Sequence, residues 1–247
     1  MTLVGFDTSL ATTSACVLRD DGEAFFTASP SPARLLGPAR HSEELLPEIE
    51  RLVRESGTAW DDVESIAVGI GPGTFTGLRI GIATARALGQ ALGVPLRPVS
   101  SLLVLGKAAA DELEADHHQV LAMIDARRGQ VFAALFEQGS EDQPATVWDP
   151  AVLDPDVLIH RVRQLDQHPV CVGDWAIKFR AELEGEGANV PPSDSGLHSV
   201  SGLHLCRLAM NVELLPPTDV YPAYLRLPDA EINRRLAMGD VDDSENG

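Results

Sequence analysis

Short apolar runs separated by polar turns open the chain, and stretches with apolar residues every third or fourth position follow. Positions 3–6 read as a strand, Asp7-Thr8-Ser9 as a polar turn and 13–18 as a second strand. Asp20-Asp21-Gly22-Glu23 then forms a hairpin turn before a third strand at 24–28. The proline-rich stretch 29–38 reads as a loop. Leu45, Leu46, Ile49, Leu52 and Val53 recur at helical spacing and predict a helix over 42–56, capped by Ser42 and closed by Gly57. Glu43 and Glu44 lie in its first turn, where the helix dipole favours anions.

The most distinctive pattern lies at 66–92. A buried strand at 66–70 runs into Gly69-Ile70-Gly71-Pro72-Gly73, and a helix over 76–92 follows, ended by Gly93 and Pro95. Neither a dinucleotide fingerprint nor a P-loop is present. The glycines therefore either seat a phosphate at the helix N-terminus or let the helix leave the strand closely, with Phe75 as a packing anchor; the steric reading fits better. Within the helix Gly77, Gly81, Ala85 and Gly89 recur every fourth residue, a stripe of nearly bare backbone, with Ile80, Leu88 and Leu92 in a neighbouring row. Each interior glycine costs roughly 1 kcal/mol relative to alanine, so tight packing along the stripe is expected. The helix has more apolar surface than one sheet covers, which points to a partner helix crossing it closely.

A strand at 96–99 and a helix from Ser100 or Ser101 to about 114 come next. Strands at 120–124 and 130–136 flank the turn Asp125-Ala126-Arg127-Arg128-Gly129. Another strand at 170–173 precedes Asp174-Trp175, a helix covers 201–212, Pro216-Pro217 breaks it, and 220–226 is extended. Each half opens with a strand, an Asp-containing turn and a second strand. A duplicated α/β unit fits that echo: a first lobe at 1–116 with a return segment at about 200–226, a smaller second lobe at 117–199, and an acidic tail at 227–247 expected to be disordered.

The formal charge is −18, with Lys107 and Lys178 the only lysines among 247 residues. Such a chain does not grip nucleic acid alone; if RNA is involved, another subunit supplies the basic surface. Cys16, Cys171 and Cys206 are far apart in apolar surroundings and read as buried free thiols. No C-x-x-C exists and no two histidines sit three or four apart, so no metal pair is expected. His41 reads as a hydrogen-bonding surface histidine, and the adjacent His117 and His118 point apart. Absence of a membrane-length apolar run, and an N-terminus that reads as a strand, point to a cytoplasmic protein.

At Asp7-Thr8-Ser9, at Gly71-Pro72-Gly73-Thr74-Phe75-Thr76-Gly77-Leu78-Arg79-Ile80-Gly81, at 124–132 and at Pro222-Ala223-Tyr224-Leu225-Arg226, the chain resembles the bacterial TsaB (YeaZ) family over about residues 1–226. The resemblance implies an actin/Hsp70-like (ASKHA) duplicated two-lobe α/β fold related to the glycoprotease family. It also implies a role in forming N6-threonylcarbamoyladenosine at position 37 of transfer RNAs that read codons starting with adenine. In that family TsaB is not the transferase; it pairs with the catalytic paralogue TsaD through the two longest helices of the first lobe. The ATPase TsaE joins the pair, and the same face can form a homodimer. The paralogue's metal-holding histidines fall where this chain has Ser100-Ser101-Leu102-Leu103, which leaves no nitrogen ligand.

The expected function is therefore a non-catalytic scaffold subunit that needs no cofactor itself, with ATP or ADP and magnesium only within the complex. The expected docking residues are Leu45, Ile49, Gly77, Ile80, Gly81, Thr84, Ala85 and Leu88, and Gly81→Arg is expected to abolish pairing without unfolding the subunit. Two turns could meet nucleotide phosphate, one at Asp7, Thr8 and Ser9, the other at Asp125, although both also read as ordinary polar turns. The competing functions are an independent ASKHA-type nucleotide-binding enzyme, a glycoprotease-like metallopeptidase, or a homodimeric scaffold with other clients.

Overall fold

A computed structural model of the chain describes residues 1–112, 119–137, 139 and 143–225. The elements are β1 (Thr2–Asp7), β2 (Ser14–Leu18), β3 (Ala24–Phe26), α1 (Pro32–Leu35), α2 (His41–Ser56), β4 (Val63–Gly71), α3 (Phe75–Leu92), β5 (Leu96–Ser100) and α4 (Ser101–Glu112). They continue with β6 (Gln119–Arg127), β7 (Gln130–Glu137), β8 (Ala145–Leu153), α5 (Pro155–Arg163), β9 (Val170–Val172), α6 (Asp174–Lys178), α7 (Arg180–Gly185) and α8 (Gly202–Ala209). His117, His118 and the acidic stretch 227–247 lie outside the described residues.

Two sheets form, in the orders β3-β2-β1-β4-β5 and β8-β7-β6-β9. In each, an antiparallel hairpin pair meets a parallel neighbour: β1 pairs antiparallel with β2 and parallel with β4, and β6 pairs antiparallel with β7 and parallel with β9. The echo between the two halves is thus an echo of topology. β8 and α5 had no counterpart in the sequence reading, and the loop expected at 29–38 contains the short helix α1.

Strand alternation distributes side chains between three cores. Leu3, Cys16, Ala67 and Val99 of the first sheet and Ala122, Ile124, Phe132 and Phe136 of the second point into a common central core, filled by Leu102 and Leu105 of α4 and Leu205 and Cys206 of α8. Val4, Phe6, Ile66 and Val68 point the other way, against Leu45, Ile49 and Leu52 of α2 and Ile82 and Ala85 of α3. Leu121, Met123, Val131 and Leu135 face Leu158, Val162, Trp175 and Leu183 of α5–α7. The molecule is therefore layered helix, sheet, helix, sheet, helix.

α2 and α3 both close on a glycine in the left-handed region, Gly57 at φ 67° and Gly93 at φ 70°. α2 starts at His41 after Arg40, and no side chain caps it, so Ser42 does not play the expected role. The buried Arg97 on β5 ties the first sheet to α8 by donating to the carbonyls of Ala209 (2.9 Å) and Val212 (2.8 Å), where the helix dipole is negative. All three cysteines are free and buried. Among the described residues no helix is long and apolar enough to cross a membrane.

Candidate functional site

Asp7 closes β1, and the chain turns at Thr8 and Ser9 against the N-terminus of α3. Ser9 O accepts from Thr74 N at 2.8 Å, and the Thr8 hydroxyl donates to Gly77 O at 2.7 Å. The carboxylate of Asp7 is engaged on both oxygens. Oδ1 accepts from the Ser9 amide (2.7 Å) and hydroxyl (2.6 Å), and Oδ2 accepts from the Ser101 hydroxyl (2.6 Å). Asp7 is 1% exposed, and Thr8 and Ser9 are 0% exposed. Gly69 leaves the room for this carboxylate, since a Cβ there would lie 1.8 Å from Asp7 Oδ2. The expectation of a phosphate turn at Asp7, Thr8 and Ser9 is corrected accordingly: α3 and α4 seal the turn, and its polar groups satisfy one another.

The small-residue stripe explains how α3 comes so close. A Cβ on Gly77 would lie 2.0 Å from Thr8 O, one on Gly81 2.3 Å from Thr8 Oγ1, and one on Gly89 2.9 Å from Leu96 Cδ2. Ala85 is fully buried on the outer face of the first sheet. The stripe is therefore spent inside the chain, on the β1 turn and β5, and not on a partner helix. Gly77, Gly81 and Ala85 leave the docking set, as do Leu45 and Ile49, each 1% exposed. Small residues admit any close backbone, a turn as readily as a helix, so spacing alone left this undecided. Ile80, Thr84 and Leu88 remain half-buried between the two faces.

The outward face of α3 carries Phe75, Thr76, Arg79, Ala83, Ala87 and Ala91, all exposed, and on α2 Leu46 is 50% exposed. Residues 216–225 lie along one flank of α3 as a strap. Arg86 donates to Val220 O (Nε, 3.0 Å) and Thr218 O (3.0 Å) and stacks over the Tyr221 ring at 4.7 Å. Ala223 N donates to Ile70 O at 2.8 Å. Arg79 lies 3.7 Å over the Phe75 ring and donates to the Tyr224 hydroxyl at 3.2 Å. Sequence reasoning quoted Arg79 and Tyr224 only as motif letters and passed over Arg86. Two arginines seven apart on a helix otherwise free of charge are the signal that could have found them.

The second Asp turn is open. Asp125 accepts from Lys178 Nζ and from the Arg127 amide (2.8 Å), while its own amide donates to Asp174 Oδ1 (3.0 Å). Burial pushes the Asp125 carboxyl up, but the Lys178 ammonium and the Arg127 N–H outweigh it and hold the group below its ordinary range. Asp174, which sequence reasoning did not single out, is pushed up to about 6 by burial, against the opposing Asp125 N–H bond and Lys178 charge. Arg127 and Arg128 adopt φ of 62° and 52°, a left-handed hairpin turn unusual for arginine. Arg127 meets Thr74, Thr76 and Ile80 of the first lobe and His41 and Ser42 of α2 around a cleft of about 410 Å³.

His41 is hydrogen-bonded as expected but buried, at 4% exposure. Its Nε2 donates to Leu10 O and its Nδ1 pairs with the Thr13 hydroxyl, both at 2.9 Å; the carbonyl can only accept, so Nε2 carries a proton. Burial holds it below the ordinary histidine range. Ser101 stands where a metal-binding histidine was looked for, and it serves Asp7. Among the described residues no group of three or more His, Cys, Asp or Glu is placed to hold a metal ion.

Residues 37–161 match the family model described as TsaD: tRNA N6-adenosine threonylcarbamoyltransferase. The tRNA threonylcarbamoyladenosine biosynthesis protein TsaB of Escherichia coli is 35% identical over 142 residues, which covers 56% of this chain and 59% of that protein. The protein of the same name from Haemophilus influenzae is 31% identical over 237 residues, covering 92% of this chain and 94% of that one. A crystal structure of an uncharacterized protein with similarity to peptidase YeaZ, from Pseudomonas aeruginosa, superposes with a TM-score of 0.73 at 26% identity, covering 91% of this chain and 99% of that one.

Proposed function

The chain belongs to the TsaB (YeaZ) family and has the actin/Hsp70-like (ASKHA) fold, and from that premise we propose that it is the non-catalytic subunit that binds and supports TsaD. The pair forms N6-threonylcarbamoyladenosine at position 37 of transfer RNAs reading ANN codons, in the cytoplasm. TsaE joins the pair, tRNA is reached through the complex, and ATP or ADP with magnesium belongs to the assembly. In isolation the same face closes a homodimer.

The observation that supports this reading best is the outer face of α3. In a chain of net charge −18, no carboxylate occurs between Phe75 and Leu92, and that helix presents Thr76, Ala83, Ala87 and Ala91 to solvent with Ile80, Thr84 and Leu88 beside them. A shallow helix surface without carboxylates, with Leu46 of α2 exposed as well, suits a second helix pair. The docking set proposed on these grounds is Leu46, Ile80, Thr84, Ala87 and Leu88. The sealed Asp7 turn speaks against the competing reading of an independent nucleotide-binding enzyme. Heat of ATP–magnesium binding to the isolated chain would favour that competitor.

Sedimentation of the purified chain with TsaD tests the proposal. Leu46→Glu and Ala87→Glu, both at exposed positions, are expected to weaken pairing at least about tenfold with unchanged thermal melting. Wild-type pairing in both variants would reject this face, and no pairing of the unaltered chain would reject the partner.

A further inference from the structure

We propose that the acidic segment 240–247 of this chain docks in the groove between α3 and the strap, as a mask over the flank of α3. The groove, about 630 Å³, is walled by Arg79, Ala83 and Arg86 on one side and Tyr221, Pro222 and Tyr224 on the other, and among the described residues no carboxylate lines it. Among the described residues neither Arg79 nor Arg86 forms an ion pair. Arg79 is held instead over the Phe75 ring and by the Tyr224 hydroxyl, and Arg86 over the Tyr221 ring and by the carbonyls of Thr218 and Val220, with Phe75 and Tyr224 each 41% exposed and Tyr221 64% exposed. In a chain with 37 acidic and 19 basic residues, two oriented arginines without a carboxylate are an unmet demand for one.

The chain itself supplies the match. Tyr224 lines the groove, and Asp240, Asp242, Asp243 and Glu245 follow it in sequence, with no base after Arg235. Seven residues of helix separate Arg79 from Arg86 by about 10 Å. In an extended segment the carboxylates on one face stand every second residue, about 7 Å apart, as Asp240 and Asp242 or Asp243 and Glu245 do, and the long arginine side chains span the remaining few ångström. The link from 225 to 240 reaches up to about 50 Å when extended, so it does not restrict docking. Exposed ion pairs are individually weak and screened by salt. Tethering raises the effective concentration of the segment to about millimolar, which makes occupancy possible without a deep pocket. That the mask lies beside the partner face rests on the proposed function; the docking itself does not, and is tested on this chain alone.

The full-length Arg79→Lys variant is treated at micromolar concentration with a water-soluble carbodiimide. The reagent activates a carboxyl group and leaves as its urea while the Lys amine forms the amide. The expected product is a monomer with position 79 joined to 240–245, reduced at least about fivefold in 1 M NaCl. It is also expected to fall when Asp240→Asn, Asp242→Asn, Asp243→Asn and Glu245→Gln are added. In the chain with Arg79 retained, those four changes are expected to speed amide exchange at 218–225 about threefold. No such cross-link, one found only in covalent dimers, or unchanged exchange overturns the proposal.

Discussion

The Thr8 hydroxyl donates to the Gly77 carbonyl at 2.7 Å, in the dark between a strand end and a helix 69 residues further on. The same hydroxyl occupies the space that a side chain on Gly81 would need, 2.3 Å from the position of its Cβ. One turn and one helix are thus made for each other, and the glycine stripe is the imprint of that fit.

Gly81→Ala is therefore expected to destabilise the isolated chain by about 2 kcal/mol, since either the Thr8 bond breaks or α3 moves off the sheet. Thr8→Ala alone is expected to lose about 1 kcal/mol, and the double variant less than the sum, because the clash has gone. Urea denaturation reads all three. Gly81→Arg is expected to unfold the lobe, in place of the selective loss of pairing that the sequence suggested.

Asp7→Ala leaves three buried donors, from Ser9 and Ser101, without their acceptor. A loss on the order of 3 kcal/mol is expected in urea or thermal melts. ATP–magnesium calorimetry is expected to give the same trace for the variant, measured where it is still folded, as for the unaltered chain. A heat present in the unaltered chain and lost with Asp7 would restore the phosphate reading.

Asp174 makes stability depend on pH. Its folded pKa of about 6 lies above the ordinary 3.8, so the native state holds more protons than the unfolded chain between these values. Stability falls as pH rises from about 4 to about 6 and stays lower above that; below about 4 both states are protonated and nothing is lost. The shift corresponds to roughly 3 kcal/mol at most. Asp174→Asn keeps an acceptor for the Asp125 amide and removes the titration. The difference in urea midpoint between variant and parent is expected to grow in the variant's favour from pH 4 to pH 7.

Arg86 holds the strap through its bonds to Thr218 and Val220 and its stacking on Tyr221. Arg86→Ala is expected to speed exchange of the Ala223 amide, which donates to Ile70, about tenfold while α3 stays protected. A global loss of about 1–2 kcal/mol accompanies it. Unchanged exchange at Ala223 would show that the strap is held by other contacts.

Much of the fold could be read locally. The stops at Gly57 and Gly93 follow from the conformational freedom of glycine, and the stripe at Leu45, Ile49, Leu52 and Val53 marks the buried face of α2, as observed. β8 was missed because its pattern is broken: Trp148, Asp149 and Pro150 interrupt it, and its residues are exposed or half-buried. The docking set was only partly legible. Ile80, Thr84 and Leu88 border the outer face, but five of the eight expected residues lie inside the chain.

By itself the amino-acid sequence determined the repeated strand–turn–strand units, the helix limits and the motifs shared with a family, because these depend on neighbours within a few residues. Tertiary structure alone decided that Asp7 is consumed by Ser9 and Ser101, that the bare side of α3 faces Thr8, and that Arg86 clasps residues 218–220. Periodicity says which side chains share a face. What that face meets is set by elements brought together across the chain, and small residues accept a turn, a strand or another protein equally well.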